Sequence, residues 1–395
     1  MRIIIAGATG FVGRMLVPIL RARGADVVVL SRDAAACRLT FPECMVTDYG
    51  SLPETLKEAN LLVNLAAINS NSDESLSFYR SVNVDLAAEL ARAARIAGVR
   101  FINVSSTHAL DTSNKSAYAQ SKREGVVAVD RVGGDNVHLY LPAIYGAKFA
   151  GALRYLNYLP RPLALIVFTP ISALKPTLSI TRLCDWVWNE AQWAPIELVL
   201  SDGQENNPIY RASSRAMDVA AALCGLMLCA LPMLVIWVLI RKDNDGPAIF
   251  AQPRIGHRGQ VFTCYKFRTM AIGTKQAATH KVSRTSVTPL GAKLRRYKLD
   301  ELPQLWNVLK GDMGLIGPRP CLPEQRELVR LRIDAGVLDI RPGISGLAQL
   351  EGIDMRDPIR LVLLDSRYIA LRGLILDIRL ALQTGLGRGR GDRVA

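Results

Sequence analysis

The first two hundred residues alternate short, continuous apolar runs with amphipathic stretches. Four of the apolar runs are rich in branched aliphatic residues, which is typical of strands buried on both faces of a parallel sheet. They lie at residues 2–6, 26–30, 61–67 and 101–106. Helical periodicity at 15–20 and 87–97 predicts crossover helices between them. The alternation therefore predicts an α/β fold, with a Rossmann-type doubly wound parallel sheet over residues 1–200.

The pattern changes after residue 200. Residues 201–212 begin with a polar, turn-rich segment, which predicts a linker. A run of 22 uncharged, mostly apolar residues then extends from Val219 to Ile240, and this is long enough to cross a bilayer core. Pro232 lies inside it, and a proline removes one helical hydrogen bond and kinks a helix. Three alternatives stay open: a membrane span, a helix broken at Pro232 that returns to the same face, and a buried helix of a soluble domain.

Charge is distributed unevenly along the chain. Residues 1–210 hold 20 basic and 19 acidic groups, a net of +1, whereas residues 211–395 hold 29 and 16, a net of +13. The basic half is therefore expected to meet anions, such as nucleic acid, phospholipid or a diphosphate. The seven cysteines show no metal-site spacing and are interpreted as reduced core residues. Met1 leads directly into the first strand, so we expect no signal peptide.

Glycines follow the first predicted strand and precede the first predicted helix. A glycine-rich turn at this place lets the backbone approach a pyrophosphate at the helix N-terminus. We therefore predict a dinucleotide site here. Its candidate residues are Gly7, Gly10, Phe11, Val12 and Gly13.

Charged residues after the next strands bear on the choice of dinucleotide. Arg32 suits the 2′-phosphate of NADP, whereas Asp33 could hold the ribose of NAD. The sequence favours NADP slightly and leaves NAD open. Asp48 follows a short third strand, where a loop would lie near the adenine.

Tyr118 and Lys122 are spaced one helical turn apart, so that both side chains project from one face. Ser106 ends the apolar run at 101–106. In such a trio the lysine ammonium lowers the pKa of the phenol, and the serine hydrogen-bonds the substrate oxygen. We predict a proton-transfer system beside a nicotinamide, in which Tyr118 and Lys122 also contact the cofactor.

Together these motifs resemble the extended short-chain dehydrogenases, the epimerase, dehydratase and reductase group that acts on nucleotide sugars. The resemblance covers residues 1–195 and implies NAD(P)-dependent reduction or epimerisation of a keto sugar nucleotide. Two departures stand out. Leu141 occupies the place of the family's arginine before Pro142, and Thr107-His108 stand where the dehydratase subgroup has an acidic pair. The second departure favours reduction or epimerisation over dehydration.

Adjacent carboxylates mark the segment 297–320. Asp300 and Glu301 follow a basic run, and an apolar helical turn leads from them to Gly317-Pro318-Arg319-Pro320. Ionised carboxylates in positive surroundings can act as nucleophiles or as ligands of a hard cation. A plain helix start, with an Asp N-cap and a Glu in the first turn, explains the two carboxylates equally well. It does not explain an arginine between two prolines.

This segment resembles the signature of the bacterial sugar transferases, the monotopic phosphoglycosyl transferases that start polyprenyl-linked glycan assembly. The resemblance covers residues 211–385. It implies that Asp300 is the nucleophile and a neighbour of Mg²⁺, that Glu301 is its partner carboxylate, and that Arg319 binds the nucleotide phosphate beside Pro320.

Further basic residues fit the same resemblance. Lys266 and Arg268 alternate with aromatic residues, so that on a strand both would face one side and could bind phosphate. The stretch from Arg341 to Gln349 matches another segment of the family, with Leu347 in place of its tryptophan. Asp365-x-x-Tyr368 matches a later motif.

The reaction implied by the resemblance is covalent. Asp300 would attack the sugar-bearing phosphorus of a UDP-sugar and release UMP, and undecaprenyl phosphate would then take the phosphosugar. The resemblance also implies a re-entrant helix over 213–242 at the bacterial inner membrane, with both domains on the cytoplasmic face. The catalytic domain would span residues 243–385, followed by a flexible basic tail at 386–395.

The chain is thus interpreted as a bifunctional enzyme of O-antigen, capsule or exopolysaccharide synthesis, whose first domain makes the donor for the second. In an alternative, the first domain is a non-catalytic regulatory module. A nucleic-acid-binding protein would also fit the basic-aromatic alternation. However, no nucleic-acid-binding fold is evident, and we expect no such partner. A homodimer stays open.

Overall fold

The chain folds into two compact units. A computed structural model describes residues 1–68, 74–243, 246–273 and 286–387. The first unit consists of Met1–Thr169 with Pro176–Gly203, and the second of Pro170–Lys175 with the chain from Gln204 onward. A short segment of the second unit therefore lies, in sequence, between two parts of the first.

A seven-stranded sheet forms the centre of the first unit. The strands of this unit are β1 (Arg2–Ala6), β2 (Asp26–Leu30), β3 (Met45–Thr47), β4 (Leu61–Asn64), β5 (Arg100–Ser106), β6 (Asn136–Leu141), β7 (Ala143–Tyr145), β8 (Thr177–Ser179) and β9 (Glu197–Val199). The sheet has the order β3-β2-β1-β4-β5-β6-β9, and every neighbouring pair is parallel. Strands β7 and β8 pair separately. The predicted doubly wound sheet is confirmed.

Helices cover both faces of this sheet. The helices in this part of the chain are α1 (Phe11–Ala22), α2 (Ala34–Thr40), α3 (Leu52–Leu56), α4 (Leu76–Arg80), α5 (Ala87–Ala97), α6 (Ala117–Val132), α7 (Arg161–Leu174), which ends in the second unit, and α8 (Ile180–Asn189). Alternate residues of β1 point to opposite faces, as the pleat requires. Ile3 and Ile5 pack in a core with side chains of α1 and α8, whereas Ile4 packs with side chains of α5.

The strand predicted at 61–67 ends early, at Asn64. The side-chain oxygen Oδ1 of Asn64 accepts a hydrogen bond from the Ala66 amide at 3.1 Å. This local bond takes the place of a ladder bond, so the chain turns away from the sheet.

The second unit begins with a long helix, α9 (Pro208–Asp243). Its start lies inside the segment assigned to the linker, because Asn207 and Pro208 form a strong helix start. Oδ1 of Asn207 accepts hydrogen bonds from the amides of Ile209 and Tyr210, both at 3.1 Å, and proline is favoured at the first helical position.

The remaining elements of the second unit are short. They are β10 (Ile249–Ile255), β11 (Val261–Phe267), α10 (Pro289–Arg296), α11 (Gln304–Lys310), β12 (Gly314–Ile316), α12 (Arg326–Asp334), β13 (Gly343–Ser345), α13 (Leu347–Leu350), α14 (Pro358–Leu371) and α15 (Leu374–Gly385). Strands β10 and β11 form an antiparallel hairpin, and β12 pairs with β13 in parallel. The result is a small α/β unit attached to a long apolar helix.

The predicted break at Pro232 is wrong at the level of secondary structure. Helix α9 continues through Pro232 without interruption. A single proline removes only one bond of the helical ladder, and the turns on either side keep theirs. The helix is long and apolar enough to cross a membrane, and little of its most apolar part is buried.

The first part of α9 is anchored in the second unit by polar contacts. The guanidinium of Arg215 donates to the carbonyl oxygens of Val308 and Leu309 at 2.7 and 2.8 Å, which caps the C-terminus of α11. Oδ1 of Asp218 accepts a hydrogen bond from the Leu315 amide at 2.9 Å. Farther along, large apolar side chains of α9 are exposed. They include Met227, Leu228, Leu231 and Leu234.

Candidate active sites

The glycine turn of the first unit lies where the sheet order reverses, between β1 and β4. Gly7 follows β1 with φ +76°, a conformation that L side chains rarely adopt. A Cβ on Gly7 would lie 2.5 Å from the Ala66 amide nitrogen, and one on Gly13 would lie 2.3 Å from the Ala8 carbonyl oxygen. Gly7 thus lets the loop after β1 lie close to the loop after β4, and Gly13 lets α1 lie close to Ala8. This is the place where doubly wound sheets bind dinucleotides.

The charged candidates for the adenosine end lie at the ends of β2 and β3. Arg32 is exposed. Oδ1 of Asp33 accepts a hydrogen bond from the Ala36 amide at 3.0 Å and so caps α2. Oδ1 of Asp48 accepts one from the Ser51 amide at 2.8 Å, and the hydrogen bonds from Ser51 lower the pKa of Asp48. Both carboxylates already have a backbone partner, whereas Arg32 faces solvent.

Ser106, Tyr118 and Lys122 meet between β5 and α6. Burial raises the pKa of Tyr118, and its hydrogen bond with Ser106 opposes that shift. The Lys122 ammonium donates to the Val104 carbonyl oxygen at 3.1 Å. The expectation that Lys122 lowers the pKa of the phenol is therefore wrong for this structure, because the ammonium is bound to the strand and burial dominates at the tyrosine.

Asn83 supports this site and was not found from the sequence. It is buried in a π-helical segment, Ser81–Leu86, and π-helical turns are frequent at functional sites. Its side-chain amide donates to the Ser121 hydroxyl at 3.0 Å, next to Lys122 on α6. The ring of Tyr118 also meets His108 edge-on, with centroids 6.0 Å apart. A π-helical turn leaves no periodicity signal that could have indicated Asn83.

Lys122→Met is expected to stabilise the first unit at neutral pH. Burial lowers the pKa of Lys122 to about 8, from 10.5 in the unfolded chain. The buried charge therefore destabilises the fold in full below pH 8, and this penalty disappears as the pH rises to 10.5. We expect the variant to gain about 2–3 kcal/mol in the free energy of unfolding at pH 7, and much less at pH 10. Urea unfolding at both pH values measures this difference.

Lys115→Met is the matched control, because Lys115 is an exposed lysine of the same unit. We expect it to change stability little, and equally at both pH values. If the gain from Lys122→Met were the same at pH 7 and pH 10, the buried-charge account would be contradicted.

The two adjacent carboxylates of the second unit lie in a single 3-10 turn, Leu299–Glu301, and both are buried. The turn is preceded by Lys298, which has φ +56°. This left-handed conformation costs a non-glycine residue about 1 kcal/mol or more. It reverses the chain after α10, so that Asp300 and Glu301 point into the unit rather than continue a helix.

Glu301 is bound by two cations. Its Oε1 accepts hydrogen bonds from the ammonium of Lys266 and from the guanidinium of Arg319, each at 2.8 Å. Burial raises the pKa of Glu301, but the two cations outweigh burial and hold the pKa well below its usual range. Glu301 is therefore a fixed negative charge at the centre of a buried ion-pair network.

Asp300 is in a different electrostatic position. Burial and the neighbouring charge of Glu301 raise its pKa, against opposing effects of Lys266, Arg295 and Arg319. Among the described residues, none donates a hydrogen bond to its carboxylate. The positive surroundings thus favour the ionised form of Glu301, whereas at Asp300 burial and the charge of Glu301 outweigh them. A carboxylate with free lone pairs beside several cations suits attack on an anionic phosphorus.

The segment Pro318–Cys321 is held rigidly because four successive carbonyl oxygens accept hydrogen bonds. Pro318 accepts from the Gly343 amide at 3.0 Å and Cys321 from the Ile255 amide at 2.9 Å. The two carbonyl oxygens between them accept from the side chains of Arg332 and Arg254, at 2.7 and 2.9 Å. The two prolines fix φ in addition, so the direction of the Arg319 side chain is set by its backbone.

Arg332 connects this segment to Asp365. Both residues are almost fully buried, and the guanidinium donates twice to Oδ2 of Asp365, at 3.1 and 2.7 Å. Burial raises the pKa of Asp365, and Arg332 opposes the shift. The Asp365 carboxylate thus orients the arginine that binds the Arg319 carbonyl. Arg332 is another residue that sequence reasoning missed.

The other predicted substrate residues make contacts of their own. Nε of Arg268 donates to the Pro247 carbonyl at 2.8 Å. Its guanidinium lies 5.7 Å from the centroid of the Phe250 ring, and Phe250 is the register partner of Lys266, so the two basic side chains lie on the same face of the hairpin. Arg341 is exposed just before β13. The side-chain nitrogen of Gln349 donates to the Ile344 carbonyl at 3.3 Å.

A cavity of about 340 Å³ opens beside Glu301. Basic, aromatic and apolar side chains line it. The lining includes Arg296, Tyr297, Lys298, Leu302, Leu305 and Ile344. A cavity with both basic and apolar lining can hold an anionic group on an apolar tail.

The carboxylate pair fits Mg²⁺ only in combination with a substrate. The described residues contain no group of three or more His, Cys, Asp or Glu side chains that could hold a metal ion. Mg²⁺ is commonly bound by one or two carboxylates together with substrate phosphates and water. Because Glu301 is engaged by two cations, Asp300 is the carboxylate available for that role.

Models of two protein families match this chain, one in each unit. The sequence model of the bacterial sugar transferases matches residues 209–387, and that of the NAD dependent epimerase/dehydratase family matches residues 3–151. The exopolysaccharide production protein ExoY of Rhizobium meliloti is 34% identical over 196 residues, which cover 45% of this chain and 85% of the relative. This chain belongs to the bacterial sugar transferase family. The match to the epimerase/dehydratase family lies in the first unit, and the match to the sugar transferases lies in the second.

Longer bacterial sugar transferases match over a smaller share of their length. The undecaprenyl-phosphate glucose phosphotransferase of Komagataeibacter xylinus is 35% identical over 210 residues, 50% of this chain and 40% of the relative. The chain spans 40% to 42% of the length of this relative and of three others. The enzyme WbmH of Bordetella bronchiseptica, solved with NAD⁺, is similar in structure over 51% of this chain and 75% of its own, with 16% identity and a TM-score of 0.40.

Proposed function

We propose that the second unit transfers a sugar 1-phosphate from a UDP-sugar to undecaprenyl phosphate. The observation that carries the proposal is the difference between the hydrogen-bond partners of Asp300 and those of Glu301. Glu301 is fixed by Lys266 and Arg319, whereas the Asp300 carboxylate accepts no hydrogen bond from the described residues. Relatives named as undecaprenyl-phosphate glucose and galactose phosphotransferases support the choice of substrates.

In the first step, a carboxylate oxygen of Asp300 attacks the phosphorus that carries the sugar. A bond forms between this oxygen and phosphorus, the bond to the bridging oxygen of the diphosphate breaks, and UMP leaves with the electron pair. In the second step, a phosphate oxygen of undecaprenyl phosphate attacks the same phosphorus, and the Asp300 carboxylate leaves. The covalent intermediate thus replaces one difficult reaction between two anions by two easier displacements.

The cations around the pair stabilise the charge that develops during both steps. Arg319 and Lys266 lie within hydrogen-bond distance of Glu301 and so are fixed beside Asp300. Mg²⁺, when bound by Asp300 and the substrate diphosphate, neutralises negative charge on the phosphoryl oxygens. Arg341 and Gln349 are further proposed substrate contacts.

UMP release tests the transferase. The detergent-purified full chain is given Mg²⁺, undecaprenyl phosphate and a panel of UDP-sugars. We expect release with one sugar or a few, at least tenfold above the others, because a polar sugar pocket rejects a misplaced hydroxyl strongly. Release with no sugar, including a keto sugar supplied with NADPH, would contradict the proposal. Asp334→Asn, at an exposed position of α12, serves as the active control.

The covalent step is tested without the lipid acceptor. A single equivalent of UMP should appear, together with a mass increase of one phosphosugar on the intact chain. Asp300→Asn should give neither. UMP formation that needs the acceptor, with no mass increase, would contradict the covalent route and leave the transferase itself standing.

We propose that the first unit reduces or epimerises a keto sugar nucleotide with NADP or NAD. The glycine turn and the meeting of Ser106, Tyr118 and Lys122 support this function. One observation favours the non-catalytic alternative: the Lys122 ammonium is bound to the Val104 carbonyl. NADPH consumption by the full chain with a UDP-4-keto-6-deoxy sugar distinguishes the two. Loss of consumption in Tyr118→Phe would support catalysis, whereas bound but unconsumed NADPH in the wild type would favour regulation.

Helix α9 is the proposed membrane element of an inner-membrane enzyme with both units on the cytoplasmic face. Its exposed apolar side chains support membrane attachment. Cytosolic nucleotide substrates for both units support a monotopic arrangement. We also propose the domain boundaries that the sequence indicates, at residues 200, 212, 242 and 385.

A further inference from the structure

Helix α7, which begins in the first unit and ends in the second, carries an unusual amount of exposed apolar surface. Between Arg161 and Lys175 it contains no charged residue. Its inner side packs Ala164 and Phe168 against aromatic and aliphatic side chains of the first unit. The outer side exposes a stripe of large apolar residues, which is Leu163, Ile166, Val167, Ile171 and Leu174. An apolar stripe of this length on a soluble surface marks an interaction site.

The surroundings of α7 are basic and aromatic. No Asp or Glu occurs from residue 136 to residue 184, whereas five basic residues do, and three of them flank the helix closely: Arg154, Arg161 and Lys175. Tyr155 and Tyr158 are exposed on the preceding 3-10 segment, Gly151–Tyr158. Aromatic rings and cations beside an apolar helix face are typical of segments that lie in the headgroup region of a bilayer.

The end of α7 is also fixed to the start of the membrane element. Residues Pro170–Lys175 belong to the second unit. The Ser172 carbonyl accepts a hydrogen bond from the Gln204 side chain at 2.7 Å, and its hydroxyl accepts one from Asn207 at 3.1 Å. Asn207 directly precedes α9. The apolar stripe of α7 therefore ends at the residues from which the apolar helix departs.

We propose that the outer face of α7 binds the surface of an anionic lipid bilayer, as a second membrane contact beside that of α9. The stripe would bury its side chains at the headgroup boundary, and the flanking cations would meet anionic headgroups. A second copy of the chain is the other occupant to consider. The excess of basic residues along residues 136–184 disfavours it, because two such surfaces would bring like charges together. This inference rests on the proposed membrane attachment of α9.

Photo-crosslinking in vesicles of phosphatidylcholine and phosphatidylglycerol tests the inference. Benzoylphenylalanine is placed, one site at a time, in the full chain at Ile166 of α7, at Ile96 of α5 and at Leu231 of α9. Ile96 is the matched control, since it is an isoleucine of the same unit and even more exposed than Ile166. Leu231 reports whether the long helix meets lipid.

Lipid adducts at Ile166 are expected at least about tenfold above those at Ile96, together with adducts at Leu231. Adducts at Leu231 but none at Ile166 would overturn the inference and leave membrane attachment standing. Crosslinks from Ile166 to a second chain would overturn it in favour of a dimer. Adducts at neither Leu231 nor Ile166 would overturn both the inference and the membrane attachment on which it rests.

Discussion

Asp300→Asn is expected to abolish turnover and leave the protein folded. The amide keeps the size of the carboxylate but cannot attack phosphorus, so UMP release should fall by about 10³-fold or more. Burial and the charge of Glu301 raise the pKa of Asp300, which means that the folded state disfavours its ionised form. Removing that charge should therefore leave the Tm unchanged or raise it. The expected outcome is a stable, inactive protein.

The measurement combines UMP release with a thermal unfolding curve on the same preparation. Asp334→Asn should keep both the activity and the Tm of the wild type, because this carboxylate is exposed. Retained turnover in Asp300→Asn would exclude Asp300 as the nucleophile. A clearly lower Tm would contradict the electrostatic account of the pair.

Asp365→Leu is expected to cost about 3–5 kcal/mol in the free energy of unfolding, because it leaves the Arg332 guanidinium buried without its counter-charge. The raised pKa of Asp365 indicates that burial costs this carboxylate more than Arg332 returns. A buried pair of this kind adds little net stability, yet the loss of one member is severe. Urea unfolding of the single variants and of the double variant Arg332→Met/Asp365→Leu measures the coupling.

In the double variant, the free energy of unfolding should recover, whereas turnover should not. We expect it to recover most of the lost stability, because two apolar side chains replace the ion pair. Turnover should stay low, because Arg332 no longer binds the Arg319 carbonyl and the Arg319 guanidinium loses its fixed direction. Recovery of turnover together with stability would contradict the positioning role of Arg332.

The same helix provides a matched control. Arg330 and Asp334 lie four residues apart on α12, with both side chains largely exposed and 3.9 Å between Nε and Oδ2. Removing either charge should change the free energy of unfolding by less than about 0.5 kcal/mol and leave turnover unchanged. The contrast tests burial as the cause, because each pair joins an arginine of α12 to an aspartate and only the pair of Arg332 with Asp365 is buried.

The fold of the first unit could be predicted because its apolar runs are local and strong. Runs such as 26–30 coincide with strands that are buried on both faces. The errors lie where a polar side chain competes with the backbone. Asn64 ends β4 early by binding the Ala66 amide, and Asn207 starts α9 inside the expected linker. The composition of such a segment indicates whether it is polar or apolar on average. A single side-chain hydrogen bond, however, determines the residue at which the strand ends or the helix begins.

The site of the second unit was predicted in part, because adjacency in sequence does not determine which charges meet. Asp300 and Glu301 are neighbours, yet only Glu301 is bound by Lys266 and Arg319. Arg330 and Arg332 are two residues apart on α12, and only Arg332 is buried. No periodicity distinguishes a buried arginine from an exposed one until its acidic partner, here Asp365 on α14, has been placed by the fold.

The interleaving of the two units along the chain constrains both synthesis and ancestry. On the ribosome, the sheet of the first unit lacks its last strand, β9, until residue 199 has emerged, whereas Pro170–Lys175 emerges before the unit to which it belongs. The first unit can fold to completion once residue 203 has emerged, whereas the second unit takes up a segment that was synthesised before the rest of it. A recombination event that cut the gene between residues 203 and 204 would keep the first unit whole and leave the second without Pro170–Lys175.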